Sequence, residues 1–440
     1  MRAWEPSYRA RSSYVNGNVI RSYNFYVSCE KAFRPDLDGR PVGVLTNNDG
    51  CVIARSPELK ALGVAMGAPA HMLDPHITRQ CVLFSSNYAL YGDMSRRVTA
   101  VYHQYTPDVS VYSIDESFLG FDGFPGERLE DHCQAMRLRV RQETGIPISI
   151  GLSTSKTLAK IANHLAKKEA ACEGVALLPP ESDTTRRVLE RLPVTEVWGV
   201  ARRTGLRLAD MGIHTAWQLR VADPRQLRRL FSVVMERTVW ELRGQDCIEL
   251  DDMSVPKRQI MTSRSFGRLT GDRQELHEAI RHHASCGAEK LRKQQSLACA
   301  LVVFVKTNPF RPELPQHHES LLLALPRPTD DSRLIVHTAS RGLDRIHRAG
   351  VAYQKCGVML TDLVDRNHEQ FDILADQQSN AERERSERLM ATLDKLNREL
   401  GAGTVKLGGG RENAAWHLRC AYRSPRYTTR WEELPVVKMR

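Results

Sequence analysis

The sequence of 440 residues has no long apolar run and no closely spaced cysteines. None of its hydrophobic stretches reaches the roughly 18 residues of a transmembrane helix, so no membrane span is expected. Its 10 cysteines are scattered, without a Cys-x-x-Cys pair or a histidine at zinc-ligand spacing, which argues against a zinc site and predicts reduced thiols. The first 30 residues lack the apolar core of a secretory signal, so we expect a cytoplasmic protein.

The composition is that of a soluble globular protein with an excess of positive charge. Hydrophobic residues make up 41% of the chain and charged residues 26%, and 440 residues exceed one ordinary core, so several domains are expected. The formal net charge is +11. A positive surface attracts phosphate and releases counterions on contact, which favours nucleic acid as a partner. Charge alone leaves a merely basic soluble protein equally open.

Two adjacent carboxylates follow a predicted strand. Residues 109–114 alternate with a period of two and run directly into Asp115 and Glu116. Neighbours on a strand point to opposite faces, so these acids share a site only if the backbone bends there, as in a hairpin. Carboxylates of this kind hold Mg²⁺, and a pair of such ions serves templated nucleotide transfer. A solvated turn is the alternative interpretation.

A strand and a helix with a lysine stripe come next. Residues 148–152 are predicted to form a strand, and the hydroxyls of residues 153–155 can cap a helix whose apolar residues recur at helical spacing. The opposite face of that helix carries Lys156, Lys160 and Lys167. Such a stripe suits a triphosphate but equally suits a solvated face. The residues alone do not decide between these two interpretations.

Turn signals divide the remaining chain. Residues 42–45 are predicted to form a buried strand between two turns, and residues 58–62 a short helix ended by Gly63. A domain boundary is expected near residues 179–180 and a linker near residues 256–258. Beyond the linker, strands are predicted near residues 263–267, 301–306 and 357–360. A leucine stripe from residue 389 to residue 400, stopped by Gly401, predicts a helix in a small appended domain.

Residues 192–213 have the character of a helix-hairpin-helix. Such a hairpin aims backbone N–H groups at a nucleic-acid phosphate without reading bases. The preferred turn is Gly-hydrophobic-Gly, and here Ala201 stands in place of the second glycine, after Gly199 and Val200. This segment therefore predicts sequence-independent contact with nucleic acid.

Several blocks in the right order resemble the Y-family DNA polymerases, most closely the UmuC-type catalytic subunit of bacterial DNA polymerase V. The resemblance runs from about residue 19 to the C-terminus. It is carried by residues 24–30, 33–37, 47–55, 85–88 and 113–116, and by an ending typical of that branch at residues 424–430.

The resemblance implies an α+β multidomain fold shaped as a right hand. Its expected parts are a palm (residues 1–35 and 86–180), small fingers (36–85), a helix-hairpin-helix thumb (181–255), a little-finger domain (256–365) and a small C-terminal extension (366–440). A nucleotide cyclase on a similar palm also uses paired carboxylates, but it has no reason to carry such a thumb.

The resemblance also implies a chemistry and its residues. Asp115 and Glu116 are the expected catalytic and metal-binding pair, holding two Mg²⁺ ions, for which Mn²⁺ can substitute, around the triphosphate of the incoming nucleotide. Tyr26 matches the steric gate that excludes a ribose 2′ hydroxyl; a core tyrosine is the alternative. The expected nucleotide-binding residues are Phe25, Tyr26, Arg55, Lys60, Lys156 and Lys167. The expected DNA-binding residues are Gly199, Val200, Ala201, Arg202, Arg203, Arg264 and Lys306.

The partners implied are primer-template DNA and dNTP, a UmuD-type accessory dimer, a recombinase filament and the sliding clamp. A short peptide resembles the family's clamp-binding motif, although an ordinary loop is equally compatible with it: Gln370, Phe371, Asp372, Ile373 and Leu374. The implied function is error-prone translesion synthesis in the SOS response to DNA damage, with no membrane association.

The first metal ligand departs from the family pattern. The opening motif Val-Asp-x-Asn-x-Phe-Tyr falls without gaps on residues 20–26, so the ligand aspartate becomes Arg21 and the following asparagine becomes Tyr23. A cation beside two divalent ions opposes their binding as well as removing a ligand. Residues 1–18 resemble nothing in the family, which a frame change, an alternative start or divergence would each explain.

Two hypotheses of function follow from these observations. The first is an active translesion polymerase, which the motifs downstream of Phe25 favour. The second is a catalytically impaired or dead relative that keeps its grip on primer-template DNA, which Arg21 favours.

Overall fold

A computed structural model describes residues 17–22, 24–248, 256–368, 380–401, 403–408 and 420–435. The chain divides into two compact units, with breaks between residues 255 and 256 and between residues 419 and 420. The larger unit therefore combines the first part of the chain with its C-terminal end. None of the helices in the described ranges has both the length and the apolar character that crossing a membrane requires.

The larger unit begins with alternating strands and helices. In chain order they are β1 (Gly17–Ser22), α1 (Phe25–Phe33), β2 (Val42–Leu45), β3 (Val52–Arg55), α2 (Pro57–Ala61), α3 (Pro75–Gln80), β4 (Val82–Ser85), α4 (Tyr88–Tyr102), β5 (Val109–Ser113), β6 (Glu116–Leu119), α5 (Leu129–Thr144), β7 (Ile148–Ser153), α6 (Lys156–Lys168) and β8 (Val175–Leu177). The predicted strands at residues 42–45, 109–113 and 148–152 are confirmed, as is the hairpin bend that joins β5 to β6.

The main sheet of this unit has the strand order β5-β6-β1-β7-β8. Strand β1 is antiparallel to both of its neighbours, β6 and β7. Ile20, Ile148 and Ile150 turn into a core that they share with Leu90 of α4 and Met136 of α5, and all of these side chains are fully buried. Burial of such side chains holds β1 in the centre of the sheet.

Helix α6 lies unusually close to β7. A Cβ atom built on Gly151 would overlap the backbone of Ala159 and Asn163, so only glycine allows this approach. The Asn163 amide donates to the Ser149 carbonyl oxygen at 2.7 Å, and the Ser155 hydroxyl caps the helix by accepting from the Leu158 amide. The predicted cap and helix are confirmed, and the lysines of α6 are brought beside the central strand.

A smaller sheet with the order β3-β2-β4 covers the residues expected to form fingers. It has a core of its own, made of Leu45, Val52, Leu59 and Val64. The predicted short helix is α2, and the chain leaves it through Gly63 at φ 80°, which is the left-handed conformation that glycine adopts without strain.

The larger unit continues as a group of short helices. They are α7 (Asp183–Arg191), α8 (Arg202–Ala209), α9 (Ala216–Val221), α10 (Pro224–Leu230) and α11 (Val233–Leu242). Leu189, Leu208 and Leu242 from these helices form one buried cluster with Leu158 and Ile161 of α6. These helices follow the alternating strands and helices after residue 180, but the larger unit continues across this point, so the domain boundary expected there stays a prediction.

The smaller unit starts at the predicted linker. It contains β9 (Ile260–Thr270), α12 (Arg273–Gln294), β10 (Ser296–Lys306), β11 (His318–Thr329), α13 (Ser332–Ile346), β12 (Tyr353–Asp365) and α14 (Asn380–Glu399). Its antiparallel sheet has the order β11-β10-β12-β9, and Leu276, Leu301, Ile335 and Val358 belong to its buried core. The three strands predicted in this region and the leucine-rich helix are confirmed.

The expected C-terminal extension does not form a unit of its own. Helix α14 belongs to the smaller unit, where Asp394 accepts two bonds from Arg292 of α12 at 2.6 and 2.7 Å. Residues 420–435 belong to the larger unit. Pairing with partners far away in the sequence decides this division, and local sequence patterns do not contain that information.

Candidate nucleotidyl-transfer site

The carboxylate pair lies at the bend between β5 and β6. Asp115 occupies the turn, where its carbonyl oxygen accepts from the Ser22 amide of β1 at 2.9 Å and its Oδ1 accepts from the Ser113 hydroxyl at 2.8 Å. Glu116 is the first residue of β6 and pairs with Arg21 across the sheet. The bend turns both carboxylates towards the same end of the sheet, as the sequence predicted.

Arg21 stands where a further carboxylate would complete this cluster. Its Nε atom lies 3.5 Å from Oδ2 of Asp115, and the two side chains are 51% and 28% exposed. The solvent-facing position explains how the fold accepts an arginine on its central strand, since the charge is not buried. The guanidinium supplies positive charge to the site and no ligand oxygen.

Lys160 neutralises the second carboxylate. Its ammonium donates to Oε1 of Glu116 at 2.6 Å, and the two side chains are only 14% and 11% exposed. The same ammonium lies 4.6 Å from the ring centroids of Tyr112 and Trp198 and 5.4 Å from that of Phe118. Burial and these rings fix the ion pair in place.

The sequence prediction placed Lys160 on the lysine stripe but did not name it as a site residue. Its spacing of four residues from Lys156 and seven from Lys167 was the available signal. That spacing gives a shared face of the helix. It does not say which lysine of the face meets a carboxylate.

Lys167 joins the same group of charges. Burial, followed by the positive charge of Arg21, lowers its pKa to about 7, although Glu116 and Asp115 act in the opposite direction. A lysine with this pKa is neutral in part at physiological pH and gains its full charge when an anion approaches. Its position suits the phosphate groups of a nucleotide.

Lys156 is not brought to this group. Its side chain is 1% exposed, and its ammonium donates to both carboxylate oxygens of Asp246, at 2.9 and 3.2 Å, and to the carbonyl oxygen of Ile248. These contacts tie the start of α6 to the segment after α11. The solvated-face alternative is wrong for Lys156, which is buried, and for Lys160, whose side chain is only 14% exposed and is paired with Glu116.

Lys60 and Arg55 approach from the smaller sheet of the larger unit. Lys60 donates to Oδ1 of Asn24 at 2.7 Å, and burial, followed by the charges of Arg55 and Arg21, lowers its pKa. Arg55 donates to the carbonyl oxygen of Val64 at 2.5 Å. The charge of Arg21 therefore acts on two lysines of different elements, Lys60 on α2 and Lys167 on α6.

Asp115 and Glu116 offer oxygen atoms that suit a divalent ion, but they are an incomplete ligand set for two such ions. A centre for two ions needs several oxygen ligands, whereas the site offers two carboxylates, each already next to a cation, and a guanidinium. Among the described residues, no group of three or more His, Cys, Asp or Glu side chains is arranged to hold a metal.

Aromatic rings form the other wall of the site. Tyr26 stacks on Tyr91 with ring centroids 4.6 Å apart and an interplanar angle of 19°. It makes an edge contact with Tyr88 at 6.0 Å and a tilted contact with Phe25 at 6.1 Å. Burial raises the pKa of Tyr26 to about 12, with smaller contributions from Tyr88 and Asp115. The ring is thus close enough to the carboxylates to sense the charge of Asp115, and it is half-buried rather than part of the core.

The hairpin residues have the geometry that their sequence predicted. Gly199 has φ 86°, Val200 is buried, and Ala201 is the extended N-cap of α8, whose first residues Arg202 and Arg203 are exposed. Ala201 occupies the position of the second glycine without strain, because its φ of −79° suits any residue.

The remaining predicted site residues lie elsewhere. Arg264 on β9 and Lys306 on β10 are half-buried side chains of the smaller unit. The predicted clamp-binding peptide, residues 370–374, lies outside the described residues. These assignments stay predictions.

Family models match three parts of the chain. Residues 20–164 match the impB/mucB/samB family, and residues 257–373 match the impB/mucB/samB family C-terminal domain. Residues 387–437 match a domain of unknown function, DUF4113.

Curated relatives are similar over nearly the whole length. Protein UmuC of Salmonella typhimurium strain LT2 is 43% identical over 418 residues, covering 94% of this chain and 98% of the relative. Protein MucB of Escherichia coli is 39% identical over 424 residues, covering 96% and 99%. DNA polymerase IV 1 of Bacillus subtilis strain 168 is 26% identical over 392 residues, covering 88% and 90%.

The fold is also similar to solved structures. A Y-family DNA polymerase chimera of Dbh and Dpo4 superposes with a TM-score of 0.61 at 16% identity, covering 79% of this chain and 99% of the chimera. A ternary complex of Dbh has a TM-score of 0.52 with the same coverage. This likeness supports the expected right-hand, multidomain α+β architecture.

Proposed function

Because the chain belongs to the impB/mucB/samB family, the UmuC-type branch of the Y-family DNA polymerases, we propose that it is an error-prone translesion DNA polymerase of the SOS response whose nucleotidyl transfer is impaired by Arg21. The observation that carries this proposal is a single site in which Asp115, Glu116, Lys167 and Tyr26 come together on a chain similar to UmuC over 94% of its length.

The site has a carboxylate end, made of Asp115 and Glu116 with the cations beside them, and an aromatic end, made of Tyr26 and the rings around it. We propose a task for each end. Tyr26 acts as the steric gate and, with Phe25, lines the place of the deoxyribose. Lys167, Lys60 and Arg55 bind the triphosphate, because cations next to developing phosphate charge stabilise the transition state. We assign Lys156 a structural task, since its ammonium is buried against Asp246.

Asp115 and Glu116 are the proposed catalytic carboxylates and the metal ligands of the family chemistry. When bound, divalent cations supply activation of the primer hydroxyl and neutralise charge on the leaving pyrophosphate. In this chain Arg21 and Lys160 already neutralise the two acids, so magnesium or manganese binds weakly. Slow extension is the expected consequence.

The second candidate function is a DNA-binding relative without catalysis. The contact of 3.5 Å between Arg21 and Asp115 is the specific observation in its favour. It differs from the first proposal only at the carboxylate end, because both keep the surfaces that grip DNA.

We propose the domain boundaries expected from the sequence: palm (1–35 and 86–180), fingers (36–85), thumb (181–255) and little finger (256–365), with the extension shared between the two units. The break between residues 255 and 256 supports the thumb boundary. The hairpin residues 199–203, Arg264 and Lys306 are the proposed contacts to primer-template DNA, and the net charge of +11 supports them. A UmuD-type dimer, a recombinase filament, the sliding clamp and a cytoplasmic location are proposed from family membership.

Primer extension with the purified full-length chain tests the proposal. The parent chain, Arg21→Asp and Arg21→Asp combined with Asp115→Asn are compared on primed template with dNTPs and Mg²⁺ or Mn²⁺, after equal DNA binding has been verified. We expect slow extension by the parent, faster extension by Arg21→Asp and none by the double variant. Binding without extension in all three proteins would favour the second candidate, and extension that the double variant retains would overturn the assigned site.

A further inference from the structure

Residues 420–435, which we call the C-terminal strap, lie against the elements that carry the aromatic wall. The Ser85 amide of β4 donates to the Tyr422 carbonyl oxygen at 3.1 Å, and the Tyr422 amide donates to the Ser85 hydroxyl at 3.0 Å. Ser85 and Arg423 form a parallel bridge. Farther along, the ring of Tyr427 stacks on Phe33 of α1 with centroids 4.7 Å apart. The strap thus spans from β4 to α1.

Ser424 is the buried anchor of the strap. The side-chain amide of Asn87 donates to the Ser424 carbonyl and hydroxyl oxygens, both at 3.0 Å, and to the Pro425 carbonyl oxygen at 3.1 Å. Ser424 is 5% exposed and Asn87 is 2% exposed. Because the amide nitrogen can only donate, the Ser424 hydroxyl proton is directed to another acceptor.

That acceptor is Glu30. The Ser424 hydroxyl donates to its Oε1 at 2.9 Å, and the Tyr91 hydroxyl donates to the same oxygen at 2.7 Å. Glu30 is fully buried, and its Oε2 has no hydrogen-bond partner among the described residues. The two hydrogen bonds that this carboxyl accepts come from Ser424 and Tyr91. Losing either bond leaves a buried acid with less compensation for its lost hydration, which costs folding free energy.

Tyr91 connects this carboxyl to the site. Its hydroxyl is held by Glu30, and its fully buried ring is the surface on which Tyr26 stacks at 4.6 Å. A packed ring transmits a displacement to its neighbour, because a close-packed interior has few voids to absorb it. A path of direct contacts thus runs from Ser424 through Glu30 and Tyr91 to Tyr26.

We propose that the C-terminal strap positions the ring of Tyr26, with Ser424, Glu30 and Tyr91 as positioning residues, and thereby sets how strictly the site excludes ribonucleotides. The part concerning ribonucleotides rests on the proposed function. A gate that must exclude one hydroxyl group needs its ring held within about 0.5 Å, and a neighbouring ring whose hydroxyl is bonded to a buried carboxyl provides such support.

The first test compares Ser424→Ala, Ser424→Thr and Tyr91→Phe with the parent and with Tyr26→Ala, each with and without Arg21→Asp. The ratio of kcat/KM for dNTP to that for rNTP is measured on one primed template. We expect Ser424→Ala and Tyr91→Phe to lower the ratio about tenfold, the scale of one lost buried hydrogen bond, and Ser424→Thr to keep it. General destabilisation would lower both kcat/KM values together, so an unchanged ratio in Ser424→Ala and Tyr91→Phe overturns the effect on selectivity.

The second test needs no catalysis. The chain is labelled with fluorotyrosine, and the fluorine resonances of Tyr26 and Tyr91 are assigned from Tyr26→Phe and Tyr91→Phe. We expect Ser424→Ala to shift or broaden both resonances and Ser424→Thr to leave them in place, and unmoved resonances in Ser424→Ala overturn the positioning role. If Tyr26→Ala itself leaves the ratio of kcat/KM unchanged, the steric gate of the proposed function fails, while the fluorine spectra still decide whether the strap positions the ring.

Discussion

Two acidic side chains of the larger unit, Asp115 and Glu30, are held in opposite ways. Asp115 is 28% exposed and lies 3.5 Å from a guanidinium, whereas Glu30 is fully buried and, among the described residues, accepts hydrogen bonds from the hydroxyls of Tyr91 and Ser424. Around Asp115 and Arg21, charge can change with little cost to the fold because solvent screens it. Around Glu30, by contrast, the fold depends on each hydrogen bond, because a buried acid without partners costs free energy of folding.

The difference explains how this chain keeps its fold with Arg21 on its central strand. Ile20 and Ser22, on either side, face inwards and are buried, so they fix β1 in the sheet while Arg21 faces solvent. The chemistry of the site and the stability of the fold therefore depend on different residues, although these residues are neighbours in the sequence.

The largest expected effect concerns the carboxylate end and separates two consequences of Arg21, the added positive charge and the missing carboxylate. Arg21→Asn removes the positive charge without adding a carboxylate, and Arg21→Asp does both. Two unit charges about 4 Å apart interact by on the order of 4 kcal/mol at an effective dielectric of about 20, and each 1.4 kcal/mol or so is tenfold in rate. We expect single-turnover extension to rise at least about 100-fold in Arg21→Asp, with Arg21→Asn in between. Equal rates for the parent and Arg21→Asn would mean that repulsion contributes nothing.

The second effect concerns the aromatic end. In the Arg21→Asp background, Tyr26→Ala should raise ribonucleotide incorporation by roughly 10- to 100-fold, the scale on which a pocket rejects one added group. Tyr26→Phe keeps the ring and serves as the matched control, with little change expected. A gain in Tyr26→Phe as large as that in Tyr26→Ala would show that the hydroxyl, and not the ring, excludes the ribose.

The third effect tests the burial of Glu30 through pH. Burial raises its pKa from 4.5 to about 7, so the unfolded chain gives up this proton first as the pH rises. The stability that the protonated side chain contributes is therefore fully present below about pH 4.5 and lost as the pH passes about 7. Glu30→Gln keeps an acceptor oxygen but cannot ionise.

Urea unfolding at pH 5 and pH 8.5 measures this contribution. We expect Glu30→Gln to become more stable relative to the parent at the higher pH, by roughly 1–3 kcal/mol in the free energy of unfolding. A stability difference that is the same at both pH values would contradict the account of Glu30.

The smallest effect concerns a surface outside both ends. Arg202→Ala and Arg203→Ala should each weaken binding to primer-template DNA by about 1 kcal/mol or less and reduce the slope of log affinity against log salt by about 1. Arg139→Ala on α5, where the arginine pairs with Glu143, is the control and should change neither quantity. Fluorescence anisotropy over a salt series gives both numbers, and a salt-independent affinity of the parent would be inconsistent with phosphate contacts.

Local patterns predicted the elements well where local physics decides them. The alternation before Asp115, the cap at Ser155 and the glycine stops at Gly63 and Gly401 are confirmed, because strand period, capping and positive φ are properties of a few neighbouring residues. The substitution at Arg21 was also visible, since it falls inside an otherwise intact motif.

Long-range partners could not be predicted in the same way. The burial of Lys156 depends on Asp246, and the bond between Ser424 and Glu30 joins residues 394 positions apart. A helical stripe gives the face on which a lysine lies, but only the assembled unit decides whether that face meets solvent, a carboxylate or another helix. For the same reason local patterns could not predict that the C-terminal extension is divided between the two units.

Metal binding is the most direct test of the central claim, which is that Arg21 occupies the third position of the carboxylate cluster and keeps divalent ions away. Free Mn²⁺ is measured by electron paramagnetic resonance during titration of the full-length parent and of Arg21→Asp, each saturated with primed template and a non-hydrolysable dNTP. We expect the Arg21→Asp variant to bind Mn²⁺ at least about tenfold more tightly, the equivalent of roughly 1.4 kcal/mol. Equal Mn²⁺ affinity in the two proteins would contradict the account.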